Sequence, residues 1–539
     1  MKHVQLALFA LGFFAQTPAQ GASVQKGVIP YTLEYVQVYG DTSPTPMPVF
    51  PPPPPQPPPQ PAPPPALQPM HAYCWASDAS GGWYIVGGRW WQGLHQFNSN
   101  AGAQNFLPQG TNQYLWYIDP AAKTATQLLD LSMLPPNLRG PLMSTNLQCD
   151  YDASTDTWLF AGGYGVDPAS TAGNMTTFDE LLLLQPRKIG GVLRDATQSQ
   201  AAKLKALQDN IQIATGAPAG FFQLTGGALR KLSLPGSSTY FLFFGQKFLG
   251  NYNPFTQVNQ QTYVEEIRYF RIMTNPLRVT ATGKLEPPGG GAKDHPFHRR
   301  DLPVVNSIDP ATGNPRITAY GGVFPPGVIA GYLYPVRVTM QNNMPQTIVD
   351  RKAVKKFSQY ECPTVVVWDS MGKTVYHTFF GGIGHYYYSY DPYQTRVYQY
   401  VQKVGRNDGL PFTEDITTFL EKSDGSTAEY IAPAPIPYSK LRGASIEFIP
   451  AASNSSTVLQ NGVFNLQAFT PGSRTLIGYI YGGIEAVYPL PVIPSFGTGA
   501  TNALYEVYLT RTPWDGIPAS QGHEAKGVFA HGQVDAGKK

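Results

Sequence analysis

The sequence predicts an all-β protein in which six small antiparallel sheets stack side by side and close radially as a propeller. Three observations carry this. A β-branched or aromatic run ending in a glycine pair recurs six times, with one copy degenerate. A strand-like run and a polar turn precede the copies, and a third strand follows each after a variable loop. One further strand near the N-terminus has no local partner and is left to complete the last sheet. A small sheet cannot bury both of its faces alone, so neighbours must stack against it, and radial closure leaves few exposed edges.

Composition limits the alternatives. Only 14% of the 539 residues are charged, against about 25% in ordinary soluble domains, while 13% are aromatic. That mixture excludes a disordered acidic or basic chain. A net charge of +3 over this length offers no clustered basic face for a nucleic acid. Three cysteines are too few for a disulfide scaffold.

Taken in order, residues 1–22 read as a secretory signal: Met1-Lys2-His3, an apolar run from Val4 to Phe14, then small residues from Thr17 to Ala22. The expected destination is outside the cytoplasm: secreted, periplasmic or cell-surface. No other run reaches the roughly 20 apolar residues of a membrane span, so none is expected. In residues 23–43, Thr32–Tyr39 alternates polar and apolar β-formers and predicts a strand. It is expected to pair with Ala503–Arg511 and close the last sheet. In residues 44–69, 16 of 26 positions are proline, which excludes helix and central strand. As polyproline II, at about 3.1 Å per residue, this linker could span roughly 80 Å. It would carry the chain from the sixth sheet to the first, or serve a proline-binding partner. Residues 70–512 hold the repeats. Within them Asp195–Gln212 has helical spacing at Ala202, Leu204, Leu207 and Ile211. Residues 513–539 form a tail without a convincing strand.

The six copies are WYIVGG (Trp83–Gly88), TWLFAGG (Thr157–Gly163), YFLFFGQ (Tyr240–Gln246), RITAYGG (Arg316–Gly322), VYHTFFGG (Val375–Gly382) and TLIGYIYGG (Thr475–Gly483). In the third copy Gln246 stands at the second glycine position. Glycines at a strand end allow a sharp turn and close approach of a neighbouring sheet. Four hydrophobic residues before a glycine pair, then a strand ending in Asp-Pro, resemble the kelch repeat; Tyr117-Ile118-Asp119-Pro120 followed by Lys123-Thr124 fits closely. The chain departs from that pattern at Ala125, where the family carries tryptophan, and in repeats longer than the family's roughly 50 residues. The resemblance implies a six-bladed kelch-like propeller. Kelch propellers include adhesins, ubiquitin-ligase adaptors, sialic-acid mutarotases and copper oxidases.

The resemblance also implies arginines near a central channel, at Arg139, Arg299, Arg300 and Arg442. Together they would form a site for a carboxylate, phosphate or sulfate, since the planar guanidinium binds such groups bidentately; singly, they would hydrogen-bond loop carbonyls. His295, His298 and Asp301 form the densest polar cluster, but no third metal ligand can be named and no metal is expected. No stretch matches the motifs of the copper-radical oxidases. Asp301 and Glu361 are the acid and base that a mutarotase would need. Cys74 and Cys149 hold equivalent places on successive first strands, and bridge only if those strands come within roughly 7 Å; otherwise they are small buried hydrophobes. Trp90 and Trp91, and Tyr386, Tyr387 and Tyr388, follow glycine pairs and would present flat amphipathic faces from loops, or pack between sheets.

These readings lead to an exported binding module that recognises a glycan or protein through Trp90, Trp91, Tyr386–Tyr388 and the cluster of Arg139, Arg300, Asp301 and Arg442, with no cofactor. The alternative is a carbohydrate-active enzyme, mutarotase- or oxidase-like, with its site at the channel mouth. A third reading is a structural part of a surface assembly.

Overall fold

The computed structural model describes residues 29–42, 66–95, 105–234, 237–253, 261–288, 294–327, 330–384, 386–390, 396–400, 410–432, 435–437, 440–454, 456–487 and 497–513. The expected signal, most of the proline-rich linker and nearly all of the tail lie outside the described residues. The fold is all-β, with antiparallel sheets and three α-helices among the described residues. No described helix is long and apolar enough to cross a membrane.

Among the described residues six larger sheets, five of four strands and one of five, follow one another along the chain. The first joins Cys74–Ser77, Trp83–Val86, Tyr114–Asp119 and Thr124–Asp130. The second joins Gln148–Asp152, Thr157–Ala161, Leu181–Leu184 and Gln212–Ile213. The third runs from Ala228–Leu234 to Leu277–Leu285, and the fourth from Val304–Ile308 to Met344–Val349. The fifth runs from Thr364–Asp369 to Thr427–Ile431, and adds a short parallel strand, Phe464–Asn465, on its first edge. The sixth joins Phe448–Pro450, Arg474–Tyr481, Leu504–Arg511 and the N-terminal strand Tyr31–Tyr39. That last pairing is antiparallel, from Tyr31 opposite Arg511 to Tyr39 opposite Leu504, with a bulge after Gln37. Alternation explains its fit: Tyr31, Leu33 and Tyr35 are buried while the residues between them are not.

Each sheet shares a core with the next. Trp158 joins Cys74 and Tyr84 between sheets one and two, and Leu159 meets Leu242 between two and three. Phe241 meets Ile317 between three and four; Tyr320 meets Phe379 between four and five. Tyr376 meets Ile480 between five and six, and Tyr481 meets Trp83 between six and one.

The glycine pairs do the joining. The N–H of Gly88 donates to Ser144 O at 2.8 Å, Gly163 to Leu224 O at 3.0 Å, and Gly382 to Arg442 O at 2.8 Å, each in the segment leading into the following sheet. Gly483 donates to Met70 O at 2.7 Å, so the last pair reaches the segment leading into the first sheet. A Cβ on Gly162 would stand 2.1 Å from Leu224 O, a separation no side chain tolerates. The third copy corrects the sequence register. There the left-handed pair is Phe244 (φ 53°) and Gly245 (φ 86°), and Gly245 donates to Arg299 O at 2.9 Å. Phenylalanine thus replaces the first glycine; Gln246 lies beyond the pair.

The helical insertion also differs. Asp195–Gln212 was expected as one helix, but the chain forms Pro186–Arg194 and Gln200–Asn210. Ser199 caps the second, accepting from Ala202 N at 3.2 Å, so the helix cannot begin at Asp195. The first is hidden from propensity by Gly190 and Gly191. A Cβ at Gly190 would lie 2.2 Å from Tyr84 Oη, so glycine lets this helix pack on the first sheet. Cys74 and Cys149 form a disulfide, their Cα atoms 6.0 Å apart.

Candidate functional site

Just before its first strand, each sheet places one residue in the left-handed region: Ala72, Asn146, Gly226, Asp301, Glu361 and Ser445, with φ between 46° and 67°. For the five that carry a Cβ this conformation costs on the order of 1–3 kcal/mol, and it persists where surrounding contacts impose it. The contacts run between sheets. Ala72 N donates to Ser445 O, Ser445 N to Glu361 O, and Asp301 N to Gly226 O, each at 2.7 Å.

Two cavities are lined by these residues. One, of about 280 Å³, takes lining from the first strand of every sheet, including Trp75, Asp150, Arg230, Asn306, Val366 and Phe448, and from Glu447 just before the last of them. The other, about 80 Å³, is lined by His71, Tyr252, Arg300, Asp301, Phe324 and others. Asn146, Glu361 and Ser445 line both.

The smaller chamber holds the candidate site. Arg300 Nη1 lies 3.5 Å from Asp301 Oδ2, both side chains largely buried. The guanidinium sits over Phe324 at 5.0 Å, and its Nε has no hydrogen-bond partner. Asn146 Nδ2 donates to Asp301 Oδ1 at 3.5 Å, and Ser445 Oγ donates to Glu361 Oε2 at 3.0 Å. Burial raises the Asp301 carboxyl above its ordinary range, against the pull of Arg300. Burial, then the Asp301 charge, raises Glu361 well above its own. Two interacting carboxyls in an enclosed site titrate together, the charge on one making the other harder to ionise. In the larger cavity burial lifts Asp150 to about 7 despite Arg230. Arg230 is committed, donating to Val304 O at 2.7 Å and pairing with Glu447.

The other expected site residues lie elsewhere. Arg139 sits on the helix Pro136–Leu142 and donates to Ser132 O at 3.4 Å, outside both cavities. Arg299 is fully buried, donating to Pro296 O at 2.7 Å and to Gly321 O and Tyr334 O at 3.0 Å. Arg442 pairs with Glu485 and donates to Gln37 Oε1 at 3.0 Å, Tyr505 Oη at 2.6 Å and Asp41 O at 3.1 Å. It therefore clasps the N-terminal strand. The expected convergence of arginines does not form: only Arg300 reaches the chamber. Trp90 and Trp91 both donate to Gln109 O, at 3.0 and 3.4 Å, and Trp90 lines a separate cavity of about 240 Å³ with Tyr114 and Trp116. Tyr386–Tyr388, expected in a loop, belong to the strand Tyr386–Tyr390, which pairs with Arg396–Tyr400 as a hairpin. His298 is engaged with Glu265 and stacked on Tyr263 at 3.7 Å, away from Asp301. Among the described residues no group of three His, Cys, Asp or Glu is placed to hold a metal.

Sequence reasoning named Arg300, Asp301 and Glu361 but missed Asn146, Ser445, Asp150 and Arg230. No local signal marks them, because loops of differing length separate each left-handed residue from its glycine pair.

No protein-family model and no curated protein matches the chain. Among solved structures it is similar to that of YjhT, at 12% identity over 81% of this chain and 95% of that one, with a TM-score of 0.42. It is also similar to a fungal alcohol oxidase of the AA5 family in complex with copper, at 9% identity over 82% and 92%, TM-score 0.31. A third is an exo-β-1,3-galactanase from Phanerochaete chrysosporium with galactose, at 8% identity over 83% and 93%, TM-score 0.29.

Proposed function

We propose that the six sheets are the blades of a propeller closed by the N-terminal strand, and that the protein binds the end of a glycan around Arg300, Asp301, Glu361 and Asn146. The return of contacts from sheet six to sheet one, and a cavity bounded by every first strand, support the architecture. The observation that carries the ligand class is the small chamber itself. It combines a carboxyl pair, an amide and a guanidinium with an unpaired N–H, beside the aromatic walls of Phe324 and Tyr252. Sugars need that combination, polar groups for hydroxyls and a flat apolar face for C–H surface. Trp90, Trp91 and the Tyr386–Tyr388 hairpin are proposed as outer contacts for a longer glycan or a protein partner.

The test is a glycan array followed by calorimetric titration of the hits. Asp301→Asn and Arg300→Gln should each weaken binding at least tenfold without a matching change in Tm. Absence of any bound sugar would overturn the glycan reading and leave the protein-partner one.

A second reading, a carbohydrate-active enzyme at the same place, draws on the raised Asp301 and Glu361 carboxyls, which suit general acid–base work. Nuclear magnetic resonance of a bound sugar, followed for anomeric exchange or bond cleavage, separates the two. We also propose export through residues 1–22. The Cys74–Cys149 disulfide supports it, since such bonds persist in oxidising compartments. The mass of the mature N-terminus tests it.

A further inference from the structure

Arg89 stands behind the wall of the small chamber, on the two-residue strand Arg89–Trp90 that pairs with Met70–His71. Its side chain is 1% exposed. Nη2 donates to Leu107 O at 2.8 Å and to Gln92 Oε1, but Nε and Nη1 have no partner. Among the described residues no carboxylate pairs with it, and residues 96–104 contain no Asp or Glu. An isolated buried charge of this kind is costly unless a counter-charge accompanies it.

The neighbours supply further donors and no second charge. Gln92 Nε2 is buried without a partner. His71 Nε2 contacts Gln92 O at 2.7 Å, which places its proton there. Burial, then the Arg89 charge, pushes His71 down to about 3, so it is neutral. Tyr164 is committed, donating to Gly250 O at 2.7 Å and accepting from Tyr252 N at 2.8 Å. The Phe106 face covers the guanidinium at 5.3 Å. His71, Phe106 and Tyr164 are also chamber walls, so the chamber is the cavity next to the guanidinium.

We propose that Arg89, with Gln92, holds one halide ion, chloride in water, in the wall of this chamber. One uncompensated positive charge calls for one monovalent anion. The unpaired N–H groups of Arg89 and Gln92, around a partly apolar seat with one neutral acceptor in His71 Nδ1, match a halide better than an oxyanion with several acceptor atoms to satisfy. This proposal is independent of the glycan reading; either can fail without the other.

The experiment compares melting of the full chain in sodium chloride, sodium bromide and sodium gluconate at equal ionic strength. The wild type should gain a constant increment of Tm per tenfold rise in halide above the dissociation constant, and Arg89→Met should lose that dependence. Crystals grown in bromide should show an anomalous peak within hydrogen-bond reach of Arg89 Nε or Nη1, a readout that needs no variant to fold. Equal melting in all three salts, an unchanged halide response in Arg89→Met, or bromide found only elsewhere would each overturn the assignment.

Discussion

Between the fourth and fifth sheets, Glu421 receives Arg316 at 2.8 Å and Arg337 at 2.7 Å, all three side chains 6% exposed. Burial acts to raise the Glu421 carboxyl, but the two arginines outweigh it and hold it at about 2 instead of 4.5. Replacing Glu421 by Gln strands the buried Arg316 and leaves Arg337 with Asp350 alone, a loss of about 3–5 kcal/mol readable by urea denaturation. Beside it His377 accepts from Ser307 or donates to it at 2.9 Å and meets Tyr320 Oη at 3.1 Å. Burial lowers it from 6.5 to about 3. Both folded values lie below the unfolded ones, so the unfolded chain binds more protons and their stabilisation is lost as pH falls, from 6.5 toward 3 for His377 and from 4.5 toward 2 for Glu421. His377→Gln should flatten the upper part of that slope. Asp150 runs the other way: its folded value, about 7, lies above 3.8, so its contribution weakens stability as pH rises between them. Asp150→Asn should stabilise the protein at pH 8 and leave it unchanged at pH 4. These buried charges were not legible in the sequence, because each depends on which sheet packs against which. Arg442 is the clearest case, expected at a ligand site and used instead to clasp a strand.

Strands and turns were legible because their signals are local. Alternation located the N-terminal strand, read as Thr32–Tyr39 and formed by Tyr31–Tyr39, and glycine pairs located five of the six strand ends. Phe244 escaped because a buried aromatic in the left-handed region breaks the rule that glycine goes there; its ring rests on Phe297 at 5.0 Å. The helix Pro186–Arg194 escaped because its glycines serve packing rather than propensity. Gly162→Ala places a methyl against Leu224 O. Gly162 has φ 66°, where alanine is strained, so we expect a loss of stability of more than about 1 kcal/mol, with hydrogen exchange rising first between the second and third sheets. Tyr35 stacks on Tyr505 at 4.3 Å and packs on Phe380 at 5.2 Å. Tyr35→Ala should cost about 3–5 kcal/mol, as other buried aromatic truncations do, and loosen the N-terminal strand in limited proteolysis.

At the scale of the molecule, two cross-links of different kinds tie distant parts of the chain together. The disulfide ties the first two sheets across 75 residues of chain. By loop-closure entropy, Cys74→Ser with Cys149→Ser should lower stability by about 4 kcal/mol in denaturant melts. The pairing of Tyr31–Tyr39 with Leu504–Arg511 ties the two ends of the chain. It also fixes where the proline-rich segment begins and ends. Gly40 packs against Ala503, and Leu67 O accepts from Asn502 Nδ2 at 3.3 Å, so the chain leaves the sixth sheet and returns, on its way to the first, at neighbouring residues. The order of synthesis follows from the same pairing. The strand Tyr31–Tyr39 must wait, unpartnered, until the far later strand Leu504–Arg511 has left the ribosome, so a premature stop before Leu504 leaves it with an open edge in place of its partner.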